Sequence, residues 1–237
     1  MLLDSSIAFL NAVKKGRSSE TVRILNLLES YSLKDVEIDL NTDKEKLIFW
    51  VNIYNAFFQL RAKEKRVVLE TNRGKFFTSK QVHLFGLYLS FDDVENRVLR
   101  RSRWKFGMGY VAKVYPKKWE RILRVKQFDF RIHFLLNCGA ESCPVIHPLT
   151  AGNFEEELKR ATSSYLNDEV KVNESDKKIV LNQLFLFYLG DFGGKKGLKK
   201  ILFDHHIIKR DHMDFKWKFT EFNKSLKLNN FVQEKVH

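Results

Sequence analysis

The chain has 237 residues, 44% of them apolar and 14% aromatic, with 21 Phe, which supplies the core of one large domain and excludes a disordered chain. Only 3 Pro and 11 Gly exclude collagen-like and low-complexity classes. The net charge of +13 suits nucleic acid, an acidic membrane surface or an acidic substrate; its short scattered clusters read first as a solvated lysine-rich surface and second as a nucleic-acid footprint, because no zinc-finger, bZIP or RRM pattern accompanies them.

Met1-Leu2-Leu3-Asp4 lacks the basic start of a secretory signal, so the expectation is a cytoplasmic protein with Cys138 and Cys143 reduced. Residues 4–14 and 19–31 predict two helices opened by N-cap residues. Residues 43–63 predict the strongest helix, with Asp43 as cap and Leu47, Trp50, Val51, Tyr54 and Phe58 as an apolar stripe. Its apolar stretch is interrupted by Asn52, Asn55 and Gln59 and falls short of the roughly 20 residues a bilayer requires, so no membrane span is expected. Residues 75–78 and 82–89 read as strands, with Gly86 as a bend. Ser90 then caps a helix to about 101, burying Phe91, Val94, Val98 and Leu99.

Residues 128–137 read as a core strand because Ile132 to Leu136 are almost continuously apolar; it ends at Cys138-Gly139. A helix over 153–167 and a hairpin of 170–172 with 178–181 follow. Short helices at 184–188 and 197–203 precede a tail, 215–228, that reads as a late strand pair. The class is α+β: helices packed on a small antiparallel sheet, in one domain over 1–237.

The chemistry-bearing segment is Arg131–Pro148, which holds two histidines and both cysteines. Three readings compete. In the first, His133 serves Cys138 as the base of a nucleophilic thiol, and exposed amides at Gly139 receive an oxyanion. On a flat strand these two side chains face opposite sides, so the pair requires a turn near Cys138. In the second, His133, Cys138, Cys143 and His147 bind zinc, at looser spacing than the usual knuckle. In the third, they are a satisfied core histidine and two inert thiols.

Glu95 shares an apolar face with Phe91, Val98 and Leu99, which makes it the carboxylate of choice to orient His133; pairing with Arg131 is the structural alternative. Asp92, Asp93 and Glu45 fit the N-termini of their helices. Asn52 and Asn55, amides in an apolar helix, either hold a neighbouring loop's backbone or line a pocket. Asp191-Phe192-Gly193 has the letters of the kinase metal motif without its companions, and Gly193–Gly197 lacks Walker spacing, so no cofactor is expected.

Three segments resemble one known family. Residues 48–56, Ile-Phe-Trp-Val-Asn-Ile-Tyr-Asn-Ala, are similar to its helix motif. Residues 90–100, Ser-Phe-Asp-Asp-Val-Glu-Asn-Arg-Val-Leu-Arg, are similar to its second. Residues 131–144, Arg-Ile-His-Phe-Leu-Leu-Asn-Cys-Gly-Ala-Glu-Ser-Cys-Pro, are closely similar to its third, and Asp191–Gly193 matches a late Asp-Phe-Gly. The chain thus resembles the domain-of-unknown-function 547 family over about residues 43–193, with 1–42 as an N-terminal helical segment and 194–237 as an extension. The resemblance implies a papain-like fold in rearranged order and a thiol hydrolase or acyltransferase acting on an unidentified peptide, amide or ester. Carried over, Cys138 is the nucleophile, His133 the base and Glu95 its partner, with Gly139 at the oxyanion and Asn52 and Asn55 bracing or lining the site. Cys143 stays open as an alternative nucleophile and Glu45 as an alternative acid. Asn96, Val145 and Ile48 depart from the family pattern. A non-catalytic protein-interaction domain and a basic nucleic-acid-associated protein are the alternative functions.

Overall fold

In the computed structural model, which describes residues 1–233, helices α1 (Leu2–Lys14), α2 (Ser18–Ser30) and α3 (Leu33–Asp39) lead into the long α4 (Asp43–Glu64). The last four residues of the expected 194–237 extension lie outside the described residues. Helix α4 begins where Thr42 and Glu45 cap each other: the Thr42 hydroxyl accepts from the Glu45 amide, and the Glu45 carboxylate accepts from the Thr42 amide. Asp43, expected as the cap, instead accepts from the backbone amides of Lys126 and Gln127. The expected apolar stripe is a whole cylinder. Every residue from Lys46 to Gln59 is buried, as in a helix enclosed on all sides. No helix among the described residues is long and apolar enough to cross a membrane.

Two short helices follow, α5 (Arg66–Thr71) and α6 (Arg73–Thr78). The second occupies an expected strand: Asn72 accepts from the Lys75 amide and opens a helix there, which a four-residue apolar pattern does not reveal. Where the sequence predicts one strand over 82–89 with a bend at Gly86, the chain forms a hairpin of β1 (Lys80–Leu84) and β2 (Leu87–Ser90), turning at Phe85 and Gly86 with φ of 58° and 70°. Ser90 caps the next segment through the Asp93 amide. From Asp93 to Leu99 the chain winds as a π-helix: the Arg100 amide reaches the Glu95 carbonyl at 2.7 Å, five residues back.

Helix α7 (Lys118–Leu123) precedes the segment expected as a core strand, and there the structure differs. Phe130–Phe134 is a single 3₁₀ turn, opened by Asp129 accepting from the Arg131 amide at 2.9 Å. Both conformations bury a continuous apolar run, so periodicity does not separate them and the local Asp cap decides.

Helix α8 (Phe154–Glu169) leads to the antiparallel pair β3 (Val170–Asn173) and β4 (Lys178–Asn182). Helices α9 (Gln183–Phe187) and α10 (Gly194–Asp204) then carry the chain to β5 (Lys216–Thr220), which lies parallel to β4. The tail therefore supplies one strand of a three-stranded mixed sheet rather than a strand pair. Its remainder crosses the cysteine loop through bridges between Ala140 and Leu226 and between Ile146 and Phe231. The class is α+β.

The apolar residues gather in two clusters. One surrounds α4 and includes Ile132 and Leu135; the other joins α8, β4, α9 and α10 and includes Phe134. His133 sits between Ile132 of the first cluster and Phe134 of the second, so the 3₁₀ turn places this polar side chain at the seam.

Candidate active site

His133 is 4% exposed, and burial of a polar imidazole demands a partner. Its Nε2 lies 2.8 Å from Asp191 Oδ2. That oxygen also accepts from Arg100 Nε at 2.7 Å, and Arg103 bonds the other carboxylate oxygen. Burial alone raises the Asp191 carboxyl, but the bonds from His133 and Arg100 outweigh it and hold the group well below the usual carboxylate range. Burial pushes the His133 imidazole down, against the pull of Asp191. The resting pair is thus a carboxylate and a neutral imidazole whose Nε2–H donates, leaving the lone pair on Nδ1.

Two glycines let the chain close on this carboxylate. Gly109 has φ +87°, and a Cβ there would fall 2.4 Å from the Asp191 nitrogen. At Gly190 a Cβ would fall 2.7 Å from the Tyr110 ring, and its amide bonds the Met108 carbonyl at 2.7 Å.

His133 opens onto a cavity of about 150 Å³. Tyr54, Glu95 and Tyr188 share its wall, with Cys138, Cys143 and the apolar side chains of Leu136, Leu184 and Phe187. The structure thus brings together the three residues expected to be catalytic. It also corrects their wiring: the carboxylate bonded to His133 is Asp191, not Glu95, and neither is it Glu45, which caps α4. Glu95 accepts from the Tyr188 hydroxyl at 2.7 Å, and the Tyr188 ring stacks on His133 with centroids 4.0 Å apart. The Arg100 guanidinium lies 4.7 Å from the same ring centre. Arg131, the alternative partner for Glu95, pairs with Asp129 and Glu155. Burial holds the Tyr188 and Tyr54 phenols well above their ordinary value, so both stay protonated.

Cys138 and Cys143 are joined as a disulfide, S–S 2.16 Å, which corrects the expectation of reduced thiols. Cys138 is half-buried and Cys143 is 6% exposed. The Cys138 amide points at Cys143 Sγ, 3.0 Å away. Gly139 has φ +73°, and a Cβ there would strike the Phe58 ring at 2.7 Å. Its amide donates to Asn137 Oδ1 at 3.0 Å, so the expected oxyanion donor at Gly139 is already engaged.

Asn52 and Asn55 are fully buried and act on backbone. Asn52 bonds the Leu149 amide and carbonyl at 3.0 and 2.9 Å; Asn55 bonds the Asn137 amide and the Leu135 carbonyl, each at 2.9 Å. They tie the loops on either side of the cysteine segment to α4, and neither reaches the cavity wall. His147 lines a different cavity, and burial with Arg160 nearby pushes its imidazole down to about 4. With both sulfurs bonded to each other, the four-ligand zinc set does not assemble, and no group of three metal-ligating side chains forms among the described residues.

Sequence reasoning missed Asp191, Tyr54 and Tyr188. Asp191 had a signal, the Asp-Phe-Gly that read as a kinase decoy, and Tyr54 lay in the helix motif of residues 48–56 but was read there only as core; Tyr188 had none, because only the fold brings it to the site.

No curated protein and no solved structure matches this chain. One family does, described as "Protein of unknown function, DUF547", over residues 38–166. The match takes in Asn52, Asn55, Glu95, His133 and both cysteines and stops before Asp191. It covers just over half of the sequence, and the chain belongs to that family.

Proposed function

We propose that the cavity is a thiol acyl-transfer site, a hydrolase or acyltransferase of the papain-like kind, which works in the reduced state and is closed by the Cys138–Cys143 disulfide. The observation that carries this reading is the pairing of His133 Nε2 with Asp191 beside a cavity shared with the cysteines, which leaves Nδ1 as the basic nitrogen. A small-molecule thiol or dithiol first reduces the disulfide. Cys138, the more exposed of the two cysteines, then attacks a carbonyl carbon as His133 Nδ1 takes its proton. The C–S bond forms, and the carbonyl oxygen becomes an oxyanion. The Tyr54 hydroxyl, which makes no hydrogen bond among the described residues, is the donor available to it in place of the Gly139 amide. Collapse breaks the bond to the amine or alcohol, which leaves with the proton from His133; water or an acceptor nucleophile releases the thioester. A cavity of about 150 Å³ holds roughly five waters' volume, which suits an acyl group of a few heavy atoms. A second reading, an interaction domain with a structural disulfide, is favoured by the engaged Gly139 amide.

The test is the pre-steady-state reaction with p-nitrophenyl acetate. Reduced protein is expected to release a burst of about one equivalent of nitrophenol, absent from the oxidised protein and from Cys138→Ala. His133→Ala is expected to slow it on the order of 10²-fold or more. A folded, reduced protein with no burst supports the interaction domain instead.

A further inference from the structure

Residues 96–119 contain no Asp or Glu. Within them the chain folds back on itself: Arg103 bridges Ala112 antiparallel, and the Trp104 amide meets the Val111 carbonyl at 2.9 Å. This lobe is anchored at its base by Arg103 on Asp191 and by Ser102 on the buried Glu120. Its outer side chains are another matter. Seven of the fifteen large apolar side chains exposed among the described residues lie between 104 and 115. Phe106, Val114 and Tyr115 are 73%, 78% and 87% exposed, so no part of the described chain covers them. The nearby Arg101, Lys117 and Lys118 are exposed and have no carboxylate partner among the described residues.

We propose that residues 101–118 form a bilayer-docking surface, in which Phe106, Val114 and Tyr115 enter the boundary between headgroups and acyl chains of an anionic membrane while Arg101, Lys117 and Lys118 meet its phosphates. Aromatic rings with polar edges favour that boundary, and cations beside them add attraction to anionic lipid. The sign of the charge and the complete absence of acid across the lobe select an anionic partner. The aliphatic Val111, Val114 and Met108, which have no use in base stacking, select hydrocarbon over a single-stranded nucleic acid. The surface is independent of the thiol chemistry and stands if that reading fails.

The experiment is co-sedimentation of the full chain with phosphatidylcholine vesicles and with phosphatidylcholine–phosphatidylserine vesicles. Binding is expected to the second and to be weak on the first. The Phe106→Ser/Val114→Ser/Tyr115→Ser variant, whose changes touch no core residue, is expected to bind at least about tenfold more weakly with an unchanged circular dichroism spectrum. Lys117→Glu/Lys118→Glu is expected to weaken binding comparably, and salt to release the protein. No binding to serine-lipid vesicles overturns the proposal. So does unchanged binding by the triple serine variant, which would assign it to the scattered basic surface. A dimer in sedimentation velocity that the triple variant dissociates would give the lobe to a second copy, and poly(U) binding lost in that variant without vesicle binding would give it to nucleic acid.

Discussion

Asp191 Oδ2 accepts from both His133 Nε2 and Arg100 Nε, at 2.8 and 2.7 Å, and this shared oxygen fixes the tautomer of the histidine. A carboxylate shortly before α10 thereby joins a 3₁₀ turn to Arg100, the residue that follows the π-helical segment. The pair is an internal keystone as well as a candidate catalytic feature, because Arg100 and Asp191 side chains are both fully buried.

Replacing Asp191 therefore does more than disturb a base. Asp191→Asn leaves the Arg100 guanidinium buried without its counter-charge and is expected to cost about 3–5 kcal/mol in urea-unfolding stability. A loss under about 1 kcal/mol would show that the ion pair is not formed in solution.

Acid should destabilise the protein earlier than carboxylates alone would. His133 and His147 both have imidazoles pushed down in the folded state, the latter to about 4. As pH falls below the unfolded value of about 6.5, the unfolded chain takes up protons that the native state refuses, so stability drops. Most of the His147 share is gone by about pH 4, where the native state also protonates. Asp191, held low when folded, adds a further loss below its unfolded value of about 3.9. His147→Gln is expected to flatten the slope of stability between pH 6.5 and 4, read by urea titrations at each pH; an identical slope would contradict it.

The two buried asparagines of α4 should matter more than their polarity suggests. Asn55→Ala removes two hydrogen bonds and strands the Asn137 amide and Leu135 carbonyl, at an expected cost of about 2–4 kcal/mol. Because Asn137 in turn holds the Gly139 amide, proteolysis of the native protein near Cys138 should also accelerate after reduction.

Gly109 and Gly16 offer a matched pair. Both have positive φ, +87° and +67°, but nothing lies within 4 Å of a Cβ at Gly16, whereas one at Gly109 collides with Asp191. Gly16→Ala is expected to cost about 1 kcal/mol for the backbone alone. Gly109→Ala should cost clearly more in the same urea-unfolding measurement, and equal costs would argue against the close approach.

Much of the framework was legible in the sequence. The helices at α1, α2, α4 and α8 and the β3–β4 hairpin follow from periodicity. The expected capping residues of the first two do not cap: α1 and α2 begin earlier, at Leu2 and Ser18, with no side-chain cap, and of these four helices only α4 opens on one. The failures have one cause in common: Phe76-Phe77 and Ile132–Leu136 are apolar runs too short or too continuous to show a period, and side-chain caps at Asn72 and Asp129 turned them into helix. At the site, Glu95, His133 and the cysteines were found as a group because the motif segments flagged them. The orienting carboxylate was not, because Asp191 lies 58 residues beyond His133 and only the packing of the two apolar clusters joins them. The disulfide was missed because spacing alone does not report oxidation, and the expectation of a reducing compartment favoured free thiols.

The most direct test of the thiol site is to acylate the reduced protein briefly with p-nitrophenyl acetate and locate the acetyl group by peptide mass spectrometry, in the native sequence and in His133→Ala. The expected result is an acetyl group on Cys138 in preference to Cys143, lost or strongly reduced when His133 is removed. Equal labelling of both cysteines, unchanged in His133→Ala, would contradict a catalytic pairing of His133 with Cys138.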